Sequence, residues 1–475
     1  MYGRTTNRQF FGELIHTSKT KLRRREAMGP RDDEDPVAGS AARRLHTFLP
    51  RQRAANPFWL KRHNPDERVL LSARIAEVGF LLWFTLLPLT LLAEERPDMS
   101  SAAAVLERAI DARAFPGCAV AVGNADVVLW QAGFGRLDYE EGAAVDAHTL
   151  YDLASLTKVV GTTSVVFSLV RDGRLALNDP VIRWAPAFGS SGSGGRSDRN
   201  KVTIEHLLTH SSGLPSGRPF YRNSTGFDAI LAAALSTPLE AAPGERSRYS
   251  DVGFMILGAV ASQVGGQSLA HLERERIFKP LGMHETMRNP PATLRSRIAP
   301  TEKAPAGTSP DATAVIKGTR YIHGVVHDEN ARAAEGLTGH AGLFSSAYDM
   351  ALFAGEALRA LEGRSSVFPR ELLRIAVVRR QLVRDSSRGL GWDTPSGRSS
   401  AGDLFSRRSF GHTGFTGTSL WIDPERRIYL VFLTNRVHPS RDNRQISAAR
   451  RELADAVVRC IARGTSASGR HAPGR

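Results

Sequence analysis

The sequence predicts an α+β protein in which one antiparallel sheet is built from both ends of the folded part of the chain. The evidence is two β-rich segments near each end, separated by turn residues in each case: 118–122, 127–131, 417–422 and 427–434. The long stretch between these pairs carries mostly helical patterns broken by Gly and Ser. We therefore expect helices to flank the sheet and a mostly helical domain to be inserted into it.

Composition indicates a globular body with a basic front end. The 475 residues are 41% hydrophobic and 23% charged, which excludes a collagen-like, coiled-coil or wholly disordered chain. Two cysteines, Cys118 and Cys460, are too few for a disulfide framework or a Cys-rich zinc module. Residues 1–68 hold 15 Lys and Arg against 8 Asp and Glu, so they carry +7 of the net charge of +15. The remainder is modestly charged, and we expect no nucleic-acid partner.

The first 93 residues divide into two segments. Residues 1–68 have no sustained apolar period and are expected to be a disordered arm or a wrongly assigned start; a nucleic-acid-binding arm is the lesser alternative. Residues 69–93 end in an uncharged run, 78–93, that matches the apolar part of a secretory signal. The same run could instead be an uncleaved membrane anchor, with a buried core helix as the third interpretation. Either main interpretation places the rest of the chain outside the cytoplasm, in the periplasm or the extracellular space.

The body of the protein is predicted to span 94–462. Its helices begin with 102–112 and end with 446–462, both of which place apolar residues on one side. We expect a discontinuous α/β part, about 101–160 and 385–462, with the helical insertion between. The tail, 463–475, is rich in Gly and Ser and is expected to be disordered.

Ser155-Leu156-Thr157-Lys158 is the first segment that suggests catalysis. On a helix, residues three apart share a face, so the Lys158 amine can approach the Ser155 hydroxyl. A serine needs a neighbouring base to act as a nucleophile, and a desolvated lysine with a lowered pKa can serve. The apolar stripe that follows predicts a helix starting at or just before Ser155, with its positive end near the hydroxyl. Alone this spacing is weak evidence, and a purely structural role for Ser155 stays open.

Two later segments strengthen the catalytic interpretation. Tyr249-Ser250-Asp251 follows a Pro-Gly turn and precedes a helical pattern, and His412-Thr413-Gly414 stands directly before the third β-rich segment. In this order the motifs resemble those of the serine β-lactamase and penicillin-binding protein superfamily. The chain is most similar to the class C β-lactamase-related branch, which includes esterases and D-Ala-D-Ala carboxypeptidases. The similarity covers about 101–462 and implies a β-lactamase/transpeptidase-like fold.

The resemblance implies a role for each motif. Ser155 would attack a carbonyl and become acylated, Lys158 would take or relay its proton, and Tyr249 would protonate the leaving group. The backbone N–H groups of Ser155 and Phe415 would form the oxyanion hole. Tyr221-Arg222-Asn223 also fits the middle motif; we prefer Tyr249 because of its sequence context.

The substrate-binding residues implied by the resemblance are Asp251, His412, Thr413 and Gly414, and two of them depart from the classical pattern. Asp251 replaces an asparagine amide by a carboxylate that cannot donate a hydrogen bond when ionised. His412 replaces a lysine, so a permanent cation becomes a group that can be neutral. A neutral histidine attracts a substrate carboxylate less, which mildly favours ester or amide substrates without one.

Other candidate sites are weaker. His206 and His210 lie four apart on a predicted helix but lack a nearby third ligand. His323, His327, Asp328, Glu329 and His340 form a denser group, for which lining a cleft or tying down a loop is favoured over a metal. We expect no metal and no cofactor. Cys118 and Cys460 could meet across the sheet, although two buried thiols are the default expectation.

The sequence thus predicts an exported serine hydrolase that forms an acyl-enzyme. Its substrate would be a small ester or amide, a β-lactam or a cell-wall peptide. An esterase, amidase or D-Ala-D-Ala carboxypeptidase is favoured. A true class C-like β-lactamase and a non-catalytic penicillin-binding or sensing relative are the alternatives.

Overall fold

The computed structural model describes residues 96–189 and 197–468. The predicted arm (1–68), the predicted leader or anchor (69–93) and the end of the predicted tail lie outside the described residues. Within them the α-helices are α1 Ser100–Asp111, α2 Ser164–Arg171, α3 Pro186–Gly189, α4 Ile204–Leu208, α5 Phe227–Ser236, α6 Asp251–Gly265, α7 Leu269–Glu273, α8 Lys279–Leu281, α9 Glu329–Ala333, α10 Ala347–Leu361, α11 Arg370–Ala376 and α12 Ile446–Ser468. The strands are β1 Gly117–Gly123, β2 Val128–Gly135, β3 Tyr151–Asp152, β4 Met287–Arg288, β5 Thr313–Ile316, β6 Thr319–Ile322, β7 Leu343–Ser345, β8 Phe410–Thr413, β9 Ser419–Asp423 and β10 Ile428–Thr434.

The main sheet is antiparallel and draws its strands from both ends of the described chain, which confirms the predicted fold class. Its order is β2-β1-β10-β9-β8. The first hairpin pairs with the last strand, so that Val120 lies opposite Phe432 and Ala121 opposite Val431. The four β-rich segments agree with the observed strands to within a few residues. Strand β8 carries His412 and Thr413 at the edge of the sheet, where the resemblance places them.

Both faces of this sheet are covered by helices. Val120 and Phe432 point to one face, where they pack in a cluster with residues of α1 and α12. Ala121 and Val431 point to the other face and join the large core beneath α10 and the helical domain. Burial on both faces explains why β1 and β10 read as nearly continuous apolar runs rather than as alternating ones.

The last helix is longer than predicted. It runs to Ser468, past the predicted end at residue 462. The Arg463 side chain contributes to this extension because it donates a hydrogen bond of 2.7 Å to Ser101 on α1. Cys460 lies on the same part of the helix, with its Sγ 3.1 Å from Ser101 Oγ. Cys118 and Cys460 are both buried free thiols.

A small second sheet carries the strand that leads into the Ser155 segment. Its order is β3-β7-β4, and Tyr151 of β3 pairs with Ser345 of β7. Behind it, α6 begins at an N-cap, Ser250, whose hydroxyl accepts a hydrogen bond from Gly253 N–H at 3.1 Å. This cap fixes the start of α6 beside the Ser155 turn. In the described ranges no single helix is both long and apolar enough to cross a membrane, although the bent pair 251–265 and 269–281 meets that criterion by length and composition.

Candidate active site

The turn that carries Ser155 is held in a strained shape. Ala154, just before the serine, has a positive φ of 46°, which a residue with a Cβ seldom adopts. The buried carboxylate of Asp152 stabilises the turn by accepting hydrogen bonds from Ala154 N–H at 2.8 Å and His327 N–H at 2.6 Å. Such strain persists only where the surroundings enforce it, and it is common at functional sites.

The helix predicted to start at or just before Ser155 begins one residue later. It then continues as a π-helix over Lys158–Thr163 before the regular α2. The π-helical winding is a feature that the apolar stripe does not indicate, and such insertions often occur at functional sites. Ser155 therefore lies in the turn at the N-terminal end of the helix.

Lys158 is fully buried and contacts Ser155 directly. Its Nζ donates to Ser155 Oγ at 2.9 Å and to the His340 carbonyl at 2.9 Å. A third contact is an ion pair of 2.8 Å with Asp251. Burial by itself lowers the pKa of Lys158, but Asp251 and Tyr249 outweigh burial and raise the pKa above its ordinary value. The lowered pKa expected from desolvation is therefore wrong, because Asp251 supplies a partner charge.

Tyr249 lies across the site from Ser155. Lys158 Nζ is 4.9 Å from the centre of the Tyr249 ring, and the His210 ring centre lies 4.5 Å from that of Tyr249. Burial of the hydroxyl raises the pKa of Tyr249, while Lys158 and Ser155 oppose that effect. Tyr221, the competing tyrosine, is 37% exposed and does not belong to the described lining of the cleft.

His412 is a buried neutral group rather than a cation. Its Nδ1 lies 2.8 Å from the Thr413 carbonyl oxygen, within hydrogen-bonding distance. Burial, and then the charges of Arg388 and Lys158, lower the pKa of His412 well below the ordinary histidine value. The His412 ring, like Thr413 and Gly414, lines the cleft beside Ser155. Asp251, also predicted to bind substrate, forms an ion pair with Lys158.

The turn after β8 is attached to the Ser155 turn by two buried threonines. Thr416 Oγ1 donates to the Asp152 carbonyl at 2.7 Å, and Thr418 Oγ1 donates to the Leu153 carbonyl at 2.9 Å. Gly414 packs so closely that a Cβ there would lie 2.5 Å from the Leu153 oxygen. These contacts fix the position of Phe415 relative to Ser155.

Two backbone donors remain free in this region. In the described part of the chain, neither the Ser155 N–H nor the Phe415 N–H donates a hydrogen bond to another protein group. Both residues line the same cleft. Free N–H groups at such a place can donate hydrogen bonds to a developing oxyanion.

The cleft is rich in arginine, which the sequence analysis missed. It has a volume of about 430 Å³ and is lined, beside Ser155 and Tyr249, by Arg388, Arg436, Arg444 and Arg450. Arg388 lies 3.8 Å from the carboxylate of Asp393. Within the ranges 96–189 and 197–468, no carboxylate pairs with the other three arginines. A neutral His412 therefore does not make the cleft neutral.

Arg450 is the most unusual of these arginines. It is only 9% exposed, and burial followed by the charge of Arg436 lowers its pKa to about 9. Its Nη2 donates to the carbonyls of Gly414 at 2.9 Å and Thr418 at 2.7 Å, while its Nε is buried without a partner. Its only signal in the sequence is a charged residue at an inward position of the last helix.

The histidines considered as metal ligands have other contacts. His206 Nδ1 accepts from the Thr203 N–H at 3.1 Å at the start of α4, and His210 Nδ1 accepts from the Ser250 N–H at 3.0 Å. In the second group, His327 Nε2 lies 3.4 Å from Glu302, and His340 Nε2 lies 2.9 Å from Asp328. Residues 96–189 and 197–468 contain no group of three or more His, Cys, Asp or Glu arranged to hold a metal ion.

Comparison with known proteins gives a consistent family assignment. The family model described as Beta-lactamase matches residues 102–455. A Salmonella typhimurium protein named "Putative D-alanyl-D-alanine carboxypeptidase" is 32% identical over 356 residues, which cover 70% of this chain and 81% of the relative. An Escherichia coli protein of the same name is 33% identical over 321 residues, covering 64% of this chain and 73% of the relative.

Solved structures show the same fold. EstCE1, a hydrolase with promiscuous acyltransferase activity, superposes with a TM-score of 0.61 at 23% identity, covering 77% of this chain and 99% of its own. A class C β-lactamase from Rhodobacter sphaeroides gives a TM-score of 0.56 at 20% identity, covering 76% and 99%. At these identities the likeness concerns the fold alone. The chain thus belongs to the β-lactamase family and is a serine hydrolase of that family.

Proposed function

We propose that Ser155 is the nucleophile of an acyl-enzyme mechanism. Its Oγ attacks the substrate carbonyl carbon, the bond to the leaving group breaks, and water later releases the acyl group. Lys158 and Tyr249 form the pair that takes the serine proton and returns it to the leaving group. The N–H groups of Ser155 and Phe415 stabilise the oxyanion. The contact of 2.9 Å between Lys158 Nζ and Ser155 Oγ supports this assignment.

We further propose that the substrate is a peptide with a free C-terminal carboxylate, of the D-Ala-D-Ala type. The observation that carries this proposal is a set of cleft arginines beside Ser155, Arg436, Arg444 and Arg450, that have no acidic partner among residues 96–189 and 197–468. Guanidinium groups bind carboxylates through paired hydrogen bonds and retain their charge at neutral pH. The names of the curated relatives support the same choice.

A matched pair of substrates tests the carboxylate. An N-acylated peptide ending in D-Ala-D-Ala and its C-terminal amide differ by one charge, and release of D-alanine or D-alaninamide measures cleavage. We expect kcat/KM to favour the free acid at least about tenfold, the value of one good charged contact. Arg444→Gln should reduce the preference for the free acid. The natural protein and this variant should hydrolyse p-nitrophenyl acetate, which has no carboxylate, equally well. Equal cleavage of acid and amide would contradict the proposal.

A neutral-ester hydrolase is the second candidate. Two observations favour it: His412 is neutral, and the Phe415 ring at the cleft is 49% exposed and offers an apolar surface to an acyl group. Turnover of p-nitrophenyl esters without cleavage of either peptide would support this candidate. Turnover of nitrocefin would support a β-lactamase, and permanent penicillin labelling without turnover would support a sensing relative.

We also propose that the protein is exported, since a peptide of the cell wall lies outside the cytoplasm. The proposal rests on the uncharged run 78–93. N-terminal sequencing of the exported protein tests it. A start near Glu94 supports a cleaved leader, an intact arm on an exported protein supports an anchor, and recovery only from the cytoplasm contradicts export.

A further inference from the structure

Asp251 forms an ion pair with Lys158 in the floor of the site. Its Oδ1 lies 2.8 Å from Lys158 Nζ, which also donates to two neutral oxygens, Ser155 Oγ and the His340 carbonyl. The two neutral oxygens take two of the three N–H bonds of an ammonium. Since Lys158 is 0% exposed, water cannot stabilise its charge, and the carboxylate of Asp251 is the anion in contact with it.

The other groups around Lys158 do not replace that charge. Two of them, His210 and His412, are kept neutral by burial, which lowers the pKa of each well below its ordinary value. Burial raises the pKa of Tyr249, so the phenol is neutral at neutral pH. Asp328 is already paired with His340 at 2.9 Å, and Arg388, 5.2 Å from the centre of the Tyr249 ring, is a cation. Asp251 is therefore the group that decides the protonation of Lys158.

We propose that Asp251 keeps Lys158 in its ammonium form in the resting enzyme, so that acylation of Ser155 is restrained at neutral pH and accelerates as alkali removes that proton. This inference rests on the proposed acyl-enzyme function. An ammonium cannot accept the serine proton, because it has no lone pair. One proton must first leave the Lys158 and Tyr249 pair to solvent; the freed lone pair then takes the Ser155 proton as the Oγ–carbonyl bond forms.

The matched variant is Asp251→Asn, which removes the charge and keeps the size of the side chain. A carboxylate within about 4 Å shifts a neighbouring pKa by about 1–3 pH units. We therefore expect the midpoint of the alkaline rise in the acylation rate to fall by about 1–3 pH units in this variant. Below both midpoints the rate should increase at least about tenfold, since each pH unit changes the free amine tenfold. Asp251→Glu keeps the charge and should retain an alkaline midpoint close to that of the natural protein.

The measurement is the rate of Ser155 labelling by a fluorophosphonate, followed by intact mass from pH 6 to 11 for the three proteins. A midpoint that is unchanged in Asp251→Asn, with Ser155 still labelled, would overturn this inference and leave the proposed function standing. Absence of Ser155 labelling in the natural protein at every pH would instead overturn the proposed function. If Asp251→Asn does not fold, an NMR titration of ¹³C-lysine in the natural protein replaces it, with Lys158→Arg identifying the signal. A Lys158 that loses its proton below pH 8 would then refute the inference.

Discussion

The two threonines that join the Ser155 turn to the turn after β8 offer a test of how the free N–H groups are held. Thr418 is 0% exposed, and its hydroxyl donates to the Leu153 carbonyl at 2.9 Å. Thr418→Val has nearly the same shape but removes one of the two hydrogen bonds that this carbonyl accepts, the other coming from Leu156 N–H at 3.1 Å. The loss should cost about 0.5–1.5 kcal/mol of unfolding free energy. Because Phe415 lies three residues away in the same turn, its N–H should also move relative to Ser155.

The expected loss of kcat follows from what one hydrogen bond to the oxyanion contributes to the rate. Complete loss of one donor costs about 100- to 1000-fold in kcat, so a displaced donor should cost about 10- to 100-fold. KM should change little, because the oxyanion forms only in the transition state. Steady-state hydrolysis of p-nitrophenyl acetate measures both constants, and urea unfolding measures the stability.

Two control variants separate positioning from general destabilisation. Thr418→Ser retains the hydroxyl and should restore most of kcat. Thr301→Val removes another buried hydroxyl, which donates to the Ile322 carbonyl at 3.3 Å outside the turn, and should lower stability without a selective loss of kcat. An unchanged kcat in Thr418→Val, or an equal loss in Thr301→Val, would refute the reasoning.

Three further predictions concern the catalytic base, a buried ion pair and acid stability. Lys158→Ala should slow acylation at least about 100-fold while circular dichroism stays unchanged; undiminished acylation would remove Lys158 from the mechanism. Arg288 and Glu273 form a buried ion pair of 2.7 Å, with side chains 3% and 0% exposed. Arg288→Met should therefore lower the free energy of unfolding in urea by about 3–5 kcal/mol, and a loss under about 1 kcal/mol would contradict this. Burial raises the pKa of Glu302, but its contacts with Arg441 and a histidine outweigh burial and hold it at about 2. The contribution of ionised Glu302 to the folding free energy is complete above pH 4.5 and is lost as the pH falls towards 2. Tm should therefore fall less over that range in Glu302→Gln than in the natural protein. Parallel falls of Tm in the two proteins would contradict the assignment.

The sheet could be predicted from the sequence because its signals are local. Strands β1, β2, β9 and β10 are apolar runs of five to eight residues bounded by turn residues, and their positions at the two ends of the body imply the pairing. Strand β3 has only two residues and pairs with β7, far away in the sequence, so no periodicity exists from which to detect it. The π-helical winding after Ser155 likewise has no periodic signal in the sequence.

The candidate site was predictable where a motif carries the chemistry and not where distant residues converge. Ser155, Lys158, Tyr249 and His412 were recognised from their motifs, and the structure brings all four around one cleft or its floor. The direction of the Lys158 pKa was predicted wrongly, because burial was considered without the ion pair to Asp251. That pair joins two helices separated by more than ninety residues, a contact that spacing cannot reveal.

The arginines of the cleft illustrate the same limit. Arg388 precedes β8, whereas Arg450 lies in the last helix, and only the packing of that helix on the sheet brings them to one cavity. A sequence with many arginines gives no indication of which of them lack an acidic partner. The proposed preference for carboxylate substrates therefore depends on contacts that only the structure shows.

The central claim, that Ser155 forms the acyl-enzyme, is tested most directly by locating the covalent adduct. Incubation with a fluorophosphonate, followed by proteolysis and mass spectrometry, should place one adduct on the peptide that contains Ser155 and none on that peptide in Ser155→Ala. An adduct on another residue of the natural protein, or equal labelling of the variant, would contradict the account.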